Sequence, residues 1–370
     1  MLQALASFHI LSDLHINLNE ERKNNLITAF KNMKELYPDT ATALILAGDL
    51  TDKATEEQYK ELYSILEEYD PVKKDNTLVL LGNHDVRGPN REIWEIAQDR
   101  ISPFWQEAKE RYLRYNQPYM EGAEHLYFSK VLNGYTFIVL NTERSLKDAA
   151  YITEEQLQFL KQTLKDCYEK EPLKPVFVLC HQPLNNTHWK SNILDGFDGL
   201  DNCVENGPAG KPQPYSTHMD QKVKEVLKKY PIAVYISGHA HNQFGQAEIQ
   251  VRDFAICVDV PTFSCPEIGI QELGTGYEVL VFEDKIIFEA RNFVTNTHLV
   301  EYDTVISFPF ITQLIQTASD SLEKQNILDK MTRIYDQKGL IWKVLQPSPY
   351  RLFDSTTMQE IEEYRKTLLK

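Results

Sequence analysis

Apolar residues in this chain come in short dense runs, most of which end in glycine, asparagine, aspartate or histidine. Residues 8–11 and 43–47 are two such runs, flanking a stretch of helical spacing over 21–37 that Pro38 closes. Strands buried on both faces read as continuous apolar runs, so this is a strand–helix–strand unit with parallel strands. Thr55 with Gln58 three residues on is a capping-box start for a helix that stops before Pro71. A strand over 77–81 follows, then an aromatic-rich helical insertion over 88–120, then a hairpin of 126–131 and 135–140 turned by Asn133-Gly134. Thr153 with Gln156 caps another helix, and 175–180 is the next strand. Residues 184–216 break the rhythm with Asn, Asp, Gly and Pro, a loop longer than compact domains usually keep without a role. A helix over 217–229 and a strand over 232–237 resume it, an antiparallel set of strands is expected over 248–293, and helical spacing returns after Asp303.

Composition narrows the picture only at its edges. At 370 residues the chain can hold one large domain and an appendage, or two modest domains. A formal net charge of -15 argues against a surface that tracks extended nucleic acid, which needs clustered Lys and Arg. No apolar stretch is long enough to span a bilayer, and the N-terminus lacks the basic start of a signal peptide. The 5 cysteines show no Cys-x-x-Cys pairing, which fits a reducing compartment, so a cytoplasmic protein with no membrane contact is expected.

The chemistry lies where the apolar runs end. Asp13 and His15 follow the first run, Asp49 the second, Asn83, His84 and Asp85 the third; His181 follows a later strand, and His239 and His241 the last of the series. Five of the 10 histidines fall in these motifs. A spacing of two along a strand puts alternate side chains on one face, which would bring Asp13 with His15, and His239 with His241, onto one ion each. Asp49 is the natural bridge, since a carboxylate has two oxygens, and Asn83 offers a neutral amide oxygen. Imidazole and oxygen ligation without thiolate suits Mn, Fe, Zn or Mg. Two ions roughly 3.5–4 Å apart can clamp both oxygens of an in-line phosphoryl displacement. Two divalent ions would outweigh two carboxylates and a hydroxide, so the pocket would attract phosphate although the chain is acidic. Asp-x-His and Gly-Asp are weak signals alone; Gly-Asn-His-Asp and Gly-His-x-His in this order, each after a strand, are a strong one.

These motifs resemble the signature of the calcineurin-like metallophosphoesterase superfamily, from about Phe8 to Phe293. The resemblance implies a four-layer αββα sandwich of the α/β class, a catalytic domain over 1–302 and a helical C-terminal extension over 303–370. It implies Asp13, His15, Asp49 and His241 around one metal and Asp49, Asn83, His181 and His239 around the other. His84 would protonate or stabilise the departing oxygen, and Asp85 would orient its ring. Asp52 stands where purple acid phosphatases carry a tyrosine, and Lys53 and Asp85 depart from the protein-phosphatase motifs. The combination is closer to the phosphodiesterase branch, including class III cyclic-nucleotide phosphodiesterases. The expected activity is hydrolysis of a small phosphodiester or nucleotide by a metal-bridging hydroxide, with two divalent or trivalent ions (Mn, Fe or Zn) and Mn favoured in vitro. A phosphomonoesterase or protein phosphatase on the same centre, and a non-catalytic scaffold, are the competing readings.

Outside the centre, Arg87 could pair with a phosphate oxygen, and a salt-bridging surface arginine explains it equally well. His188 could reach the substrate from the long loop, although a solvated loop histidine is the plainer reading. Cys180 should point away from His181 into packing. Trp94, Phe104, Trp105, Tyr112 and Tyr115 read as the buried stripe of the insertion sooner than as a base-stacking platform. The C-terminal helices offer an oligomer contact.

Overall fold

The strand–helix–strand opening predicted from the apolar runs forms as β1 (Ala6–Leu11), α1 (Glu20–Leu36) and β2 (Ala41–Leu46), with β1 and β2 parallel and Leu11 opposite Leu46. The computed structural model describes residues 4–36, 41–88, 104–120, 125–145, 149–185, 187–188, 219–230, 232–267, 269–307 and 343–344. Helix α2 (Glu56–Tyr69) starts where expected: the Thr55 hydroxyl accepts from the Gln58 amide at 3.3 Å. The Gln58 side chain instead accepts from the Lys53 amide, 2.9 Å away, fastening the turn before the helix. β3 (Thr77–Val79) then delivers the chain to the short α3 (Asn83–Arg87). Of the aromatic insertion, α4 (Trp105–Asn116) lies among the described residues, and Tyr112 is fully buried with its hydroxyl on the Val79 carbonyl. Trp94 lies outside the described residues.

β4 (Phe128–Leu132) and β5 (Tyr135–Val139) form the expected hairpin, and Asn133 and Gly134 both take positive φ, as a two-residue primed turn requires. α5 (Glu154–Lys170) is capped by the Thr153 hydroxyl, which accepts from the Gln156 amide at 3.2 Å. β6 (Val176–Leu179), α6 (Met219–Lys229) and β7 (Ala233–Ser237) follow, and most of the 184–216 loop lies outside the described residues.

The stretch 248–293 does not form one antiparallel set. β8 (Ile249–Val251) and β9 (Ile256–Asp259) join the sheet of β7, with β9 parallel to β7; β10 (Thr275–Val281) and β11 (Lys285–Asn292) join the sheet of β1. Periodicity reports a strand and its buried face but not which sheet will take it. β12 (Thr297–His298), β13 (Thr304–Ser307) and β14 (Lys343–Val344) extend the first sheet, so β13 occupies the start of the stretch expected to be helical. The remainder of the expected C-terminal helices lies outside the described residues.

The result is two mixed sheets, ordered β14-β13-β11-β10-β1-β2-β3 and β4-β5-β6-β7-β9-β8. Between them lies a core that includes Phe8, Ile10 and Ile45 from the first sheet and Phe137, Phe177 and Ile236 from the second. α1 and α2 cover the outer face of the first sheet through Phe30, Met33, Leu62 and Leu66; α5 and α6 cover the second through Leu160, Leu164 and Val223. Each such side chain contributes about 1.5–3 kcal/mol on leaving water. This is the expected four-layer sandwich, and Cys180 packs into its outer core. Among the described residues no helix is long and apolar enough to cross a membrane.

Candidate metal centre

The expected ligands meet at the carboxyl ends of β1, β2 and β7, but not by strand alternation. Asp13 and His15 lie past the end of β1, Asp49 past β2, and His239 and His241 past β7. All five take left-handed φ, between +44° and +72°, and among the described residues only nine non-glycine positions do so. Such backbone costs about 1–3 kcal/mol per residue and concentrates where surrounding contacts over-determine it. Those contacts are present: the Asp13 amide donates to the Gly48 carbonyl at 3.1 Å and the His15 amide to the Asp49 carbonyl at 2.9 Å. The motif glycines answer to crowding. Gly48 has φ +93°, and a Cβ there would sit 2.6 Å from the His181 ring; one on Gly82 would run into Asp49.

Among the described residues the side chains form three groups, two of which share Asp49, while the third joins His15, Asp52 and His84 at the mouth. Asp13, His15, Asp49 and His241 offer ligand atoms within 4.8 Å of one another, and so do Asp49, His181 and His239. His241 Nε2 lies 3.4 Å from Asp13 Oδ1 and 3.0 Å from His15 Nε2. Asp49 Oδ2 lies 3.6 Å from His15 Nε2 and 3.4 Å from His181 Nε2. His239 and His241 therefore part company, one in each of the groups that share Asp49, where alternation would have sent them to one ion. The left-handed turns on either side of Ala240 rotate them apart. Asn83 is buried at the first position of α3, beside the His84 amide that donates to Asp49 Oδ1 at 2.8 Å.

These residues fit a pair of cations. Asp13 Oδ1 and Asp49 Oδ2 are buried without a hydrogen-bond partner, as is His181 Nε2. Among the described residues no lysine or arginine pairs with either carboxylate; they face imidazoles. Burial would raise the pKa of Asp13 and Asp49, yet the surrounding imidazoles hold both well below the usual carboxylate range. Burial likewise disfavours the charged forms of His181 and His241, but Asp49 beside the first and the carboxylates of Asp13 and Glu267 beside the second lift them to about 9 and about 10. Burial pushes His15 down to about 3 and lowers His239, the latter with help from His181. Buried carboxylate and imidazole atoms left without hydrogen-bond partners are what a cation would satisfy, and oxygen and imidazole donors without thiolate suit hard or borderline ions.

Asp85 departs from its expected role. Its carboxylate does not face the His84 ring; it accepts from the Leu50 and Thr51 amides and the Thr51 hydroxyl, each at 3.0 Å, and from the Gly82 amide at 2.9 Å. It therefore pins the turn that carries Asp49, because it sits one position into α3 beyond His84 and points back at that turn. Burial and the nearby Asp49 charge raise its pKa to about 7. The His84 ring is oriented by backbone instead: Nδ1 lies 2.9 Å from the Asp52 carbonyl. His84 stands at the mouth of the centre with its side chain 17% exposed, and Nε2 is 3.9 Å from Asp49 Oδ2. Arg87, buried, brings a guanidinium nitrogen within 2.5 Å of His84 Nε2. It is thus part of the same cluster and not a surface arginine. His188 is also buried, which rules out the solvated-loop reading, and it belongs to none of the three groups.

Three residues contribute in roles that the sequence does not mark. Asp52 supplies the carbonyl to His84, and its carboxylate lies 3.8 Å from both His15 Nδ1 and His84 Nδ1. Arg22 donates to the His15 carbonyl at 2.6 Å. Glu267 lies 3.3 Å from His241 Nδ1. Asp52 sits beside the Gly-Asp motif and could have been suspected; Arg22 and Glu267 are isolated charges that no spacing marks.

Comparison with known proteins gives the family and the fold. The family model described as calcineurin-like phosphoesterase matches residues 6–243. A curated protein of Ruthia magnifica subsp. Calyptogena magnifica, named "Probable cyclic nucleotide phosphodiesterase", is 24% identical over 270 residues, covering 72% of this chain and 87% of that protein. Among solved structures, a dimetal phosphatase from Danio rerio superposes with a TM-score of 0.53 at 13% identity, covering 81% of this chain and 100% of its own. A purple acid phosphatase from yellow lupin (Lupinus luteus) seeds gives 0.53 at 13% identity over 87% of this chain and 56% of its own. At such identities the two structures show a shared fold.

Proposed function

The chain belongs to the calcineurin-like phosphoesterase family, and from that premise we propose that it hydrolyses a small phosphodiester, such as a nucleotide, at a two-metal centre. The observation that carries this is the single Asp49 carboxylate shared by two convergent ligand groups. Asp13, His15, Asp49 and His241 would hold one ion, and Asp49, Asn83, His181 and His239 the other. When bound, the pair would neutralise the phosphoryl oxygens and supply a nucleophile at neutral pH. Preference for a diester is supported by the Gly-Asn-His-Asp and Gly-His-Ala-His motifs and by the name of the Ruthia relative.

The chain's own residues do the rest. The Asp52 carbonyl accepts a hydrogen bond from His84 Nδ1–H, so Nε2 is the nitrogen left to exchange a proton with the departing oxygen. Arg87, beside Nε2, offers its guanidinium to a phosphate oxygen that enters there. Asp85 keeps the Asp49 turn in place and acts on the chemistry only through it. We divide the chain into a catalytic unit over 1–302 and an extension over 303–370, with β13 tying the start of the extension to the catalytic sheet. We place the protein in the cytoplasm, consistent with the free Cys167, Cys180, Cys257 and Cys265.

Hydrolysis of bis-(p-nitrophenyl) phosphate against p-nitrophenyl phosphate, with and without Mn²⁺, tests the reading. Mn²⁺-dependent preference for the diester supports it; preference for the monoester makes the protein a phosphomonoesterase. His84→Ala should slow an alkyl phosphodiester by about 10²–10⁴-fold while costing the nitrophenyl ester far less, since nitrophenolate needs no proton to leave. Equal losses on both would remove His84 from the leaving-group step.

A further inference from the structure

A short segment beyond the stretch that the family model matches fastens the two ligand turns together. The family match ends at residue 243, and the segment 262–267 follows β9. The Phe263 amide donates to the Ser12 carbonyl at 2.8 Å, the Ser264 amide to Asp13 at 3.3 Å, and the Glu267 amide to the His241 carbonyl at 3.1 Å. Arg22 joins the same segment to the His15 turn, with one nitrogen on the His15 carbonyl and the other 3.4 Å from Cys265 Sγ. From this segment the Glu267 carboxylate reaches His241 Nδ1 at 3.3 Å, while Nε2 on the far side of the same ring faces Asp13 Oδ1.

An imidazole that offers one nitrogen to an ion holds its tautomer by donating from the other. His181 does this to a backbone oxygen, with Nδ1 2.7 Å from the Ala47 carbonyl. His241 has a full carboxylate in that position. We propose that Glu267 is a positioning residue for a divalent cation: it accepts a hydrogen bond from His241 Nδ1–H, aims the Nε2 lone pair at the ion shared with Asp13 and His15, and makes that imidazole a stronger donor. This rests on the two-metal reading above. It assigns the role to a residue outside the family match and makes the two ions unequal in what holds them. Glu267 is 51% exposed, so water screens its charge and the lower end of the usual effect applies.

The test is calorimetric titration of the metal-stripped full chain with Mn²⁺, for the native protein, Glu267→Gln and Glu267→Ala. The native protein should bind two ions. Both variants should bind one of them with native affinity and the other about 10-fold more weakly, with melting of the metal-free protein unchanged. Native affinity for both ions in Glu267→Gln overturns the proposal. A lowered melting temperature with both ions weakened also overturns it, since that marks a structural residue. A native protein that binds no Mn²⁺ removes the two-metal reading and this inference with it.

Discussion

The two halves of the centre share Asp49 but are held differently. Around His181 everything is fold: the ring is fully buried, its outer nitrogen meets the Ala47 carbonyl, and Gly48 leaves it room with no atom to spare. Around His241 the ring is 17% exposed and its outer nitrogen meets a surface carboxylate on a separate segment. A carbonyl on a buried turn cannot leave without unfolding β2; a glutamate can be replaced. On the proposed two-metal reading, the difference teaches that one site would rest on the sheet ends alone and the other would be completed by a side chain that an experimenter can replace.

The largest effect should come from the residue the halves share. Asp49→Asn removes charge from both groups and should cut esterase activity by about 10³-fold or more while lowering bound metal, read by elemental analysis beside the assay. A variant that keeps two ions and most activity would dissolve the shared-carboxylate comparison. Gly82→Ala is next. Its Cβ has no place beside Asp49, so both halves should weaken together, and the metal-free protein should lose about 1–3 kcal/mol in denaturant unfolding. Loss confined to one ion would mean that Asp49 is less rigid than its contacts imply.

Much of this was legible beforehand, for reasons particular to each feature. The parallel strands showed as unbroken apolar runs because both their faces are buried, and Thr55 and Thr153 marked helix starts because their hydroxyls cap amides three residues on. The ligand residues stood out through residue type and order. What did not show depends on pairings across the chain. Whether β9 follows β7 or joins β10 is decided by sheet register, and neither stretch encodes that locally. His239 and His241 looked like alternating strand residues, and their left-handed turns separate them. Asp85 looked like a partner for its neighbour His84, but its bonds run to a turn 34 residues away in sequence. Glu267 carries no motif at all, and only the fold brings it to His241.

The smallest effect sharpens the comparison from outside. Thr153→Ala removes the cap of α5, remote in sequence from every ligand, and should cost about 1 kcal/mol in unfolding free energy. Mn²⁺ affinity at both sites should stay native; a change there would show that the two halves respond to general loosening of the sandwich.

The most direct measurement is stepwise return of Mn²⁺ to metal-stripped native protein, following bound metal and diester hydrolysis in the same samples. Two ions should bind, one more tightly, with activity rising as the second site fills. Saturation at a single ion with full activity, or hydrolysis that never depends on metal, would contradict a centre built on one shared aspartate.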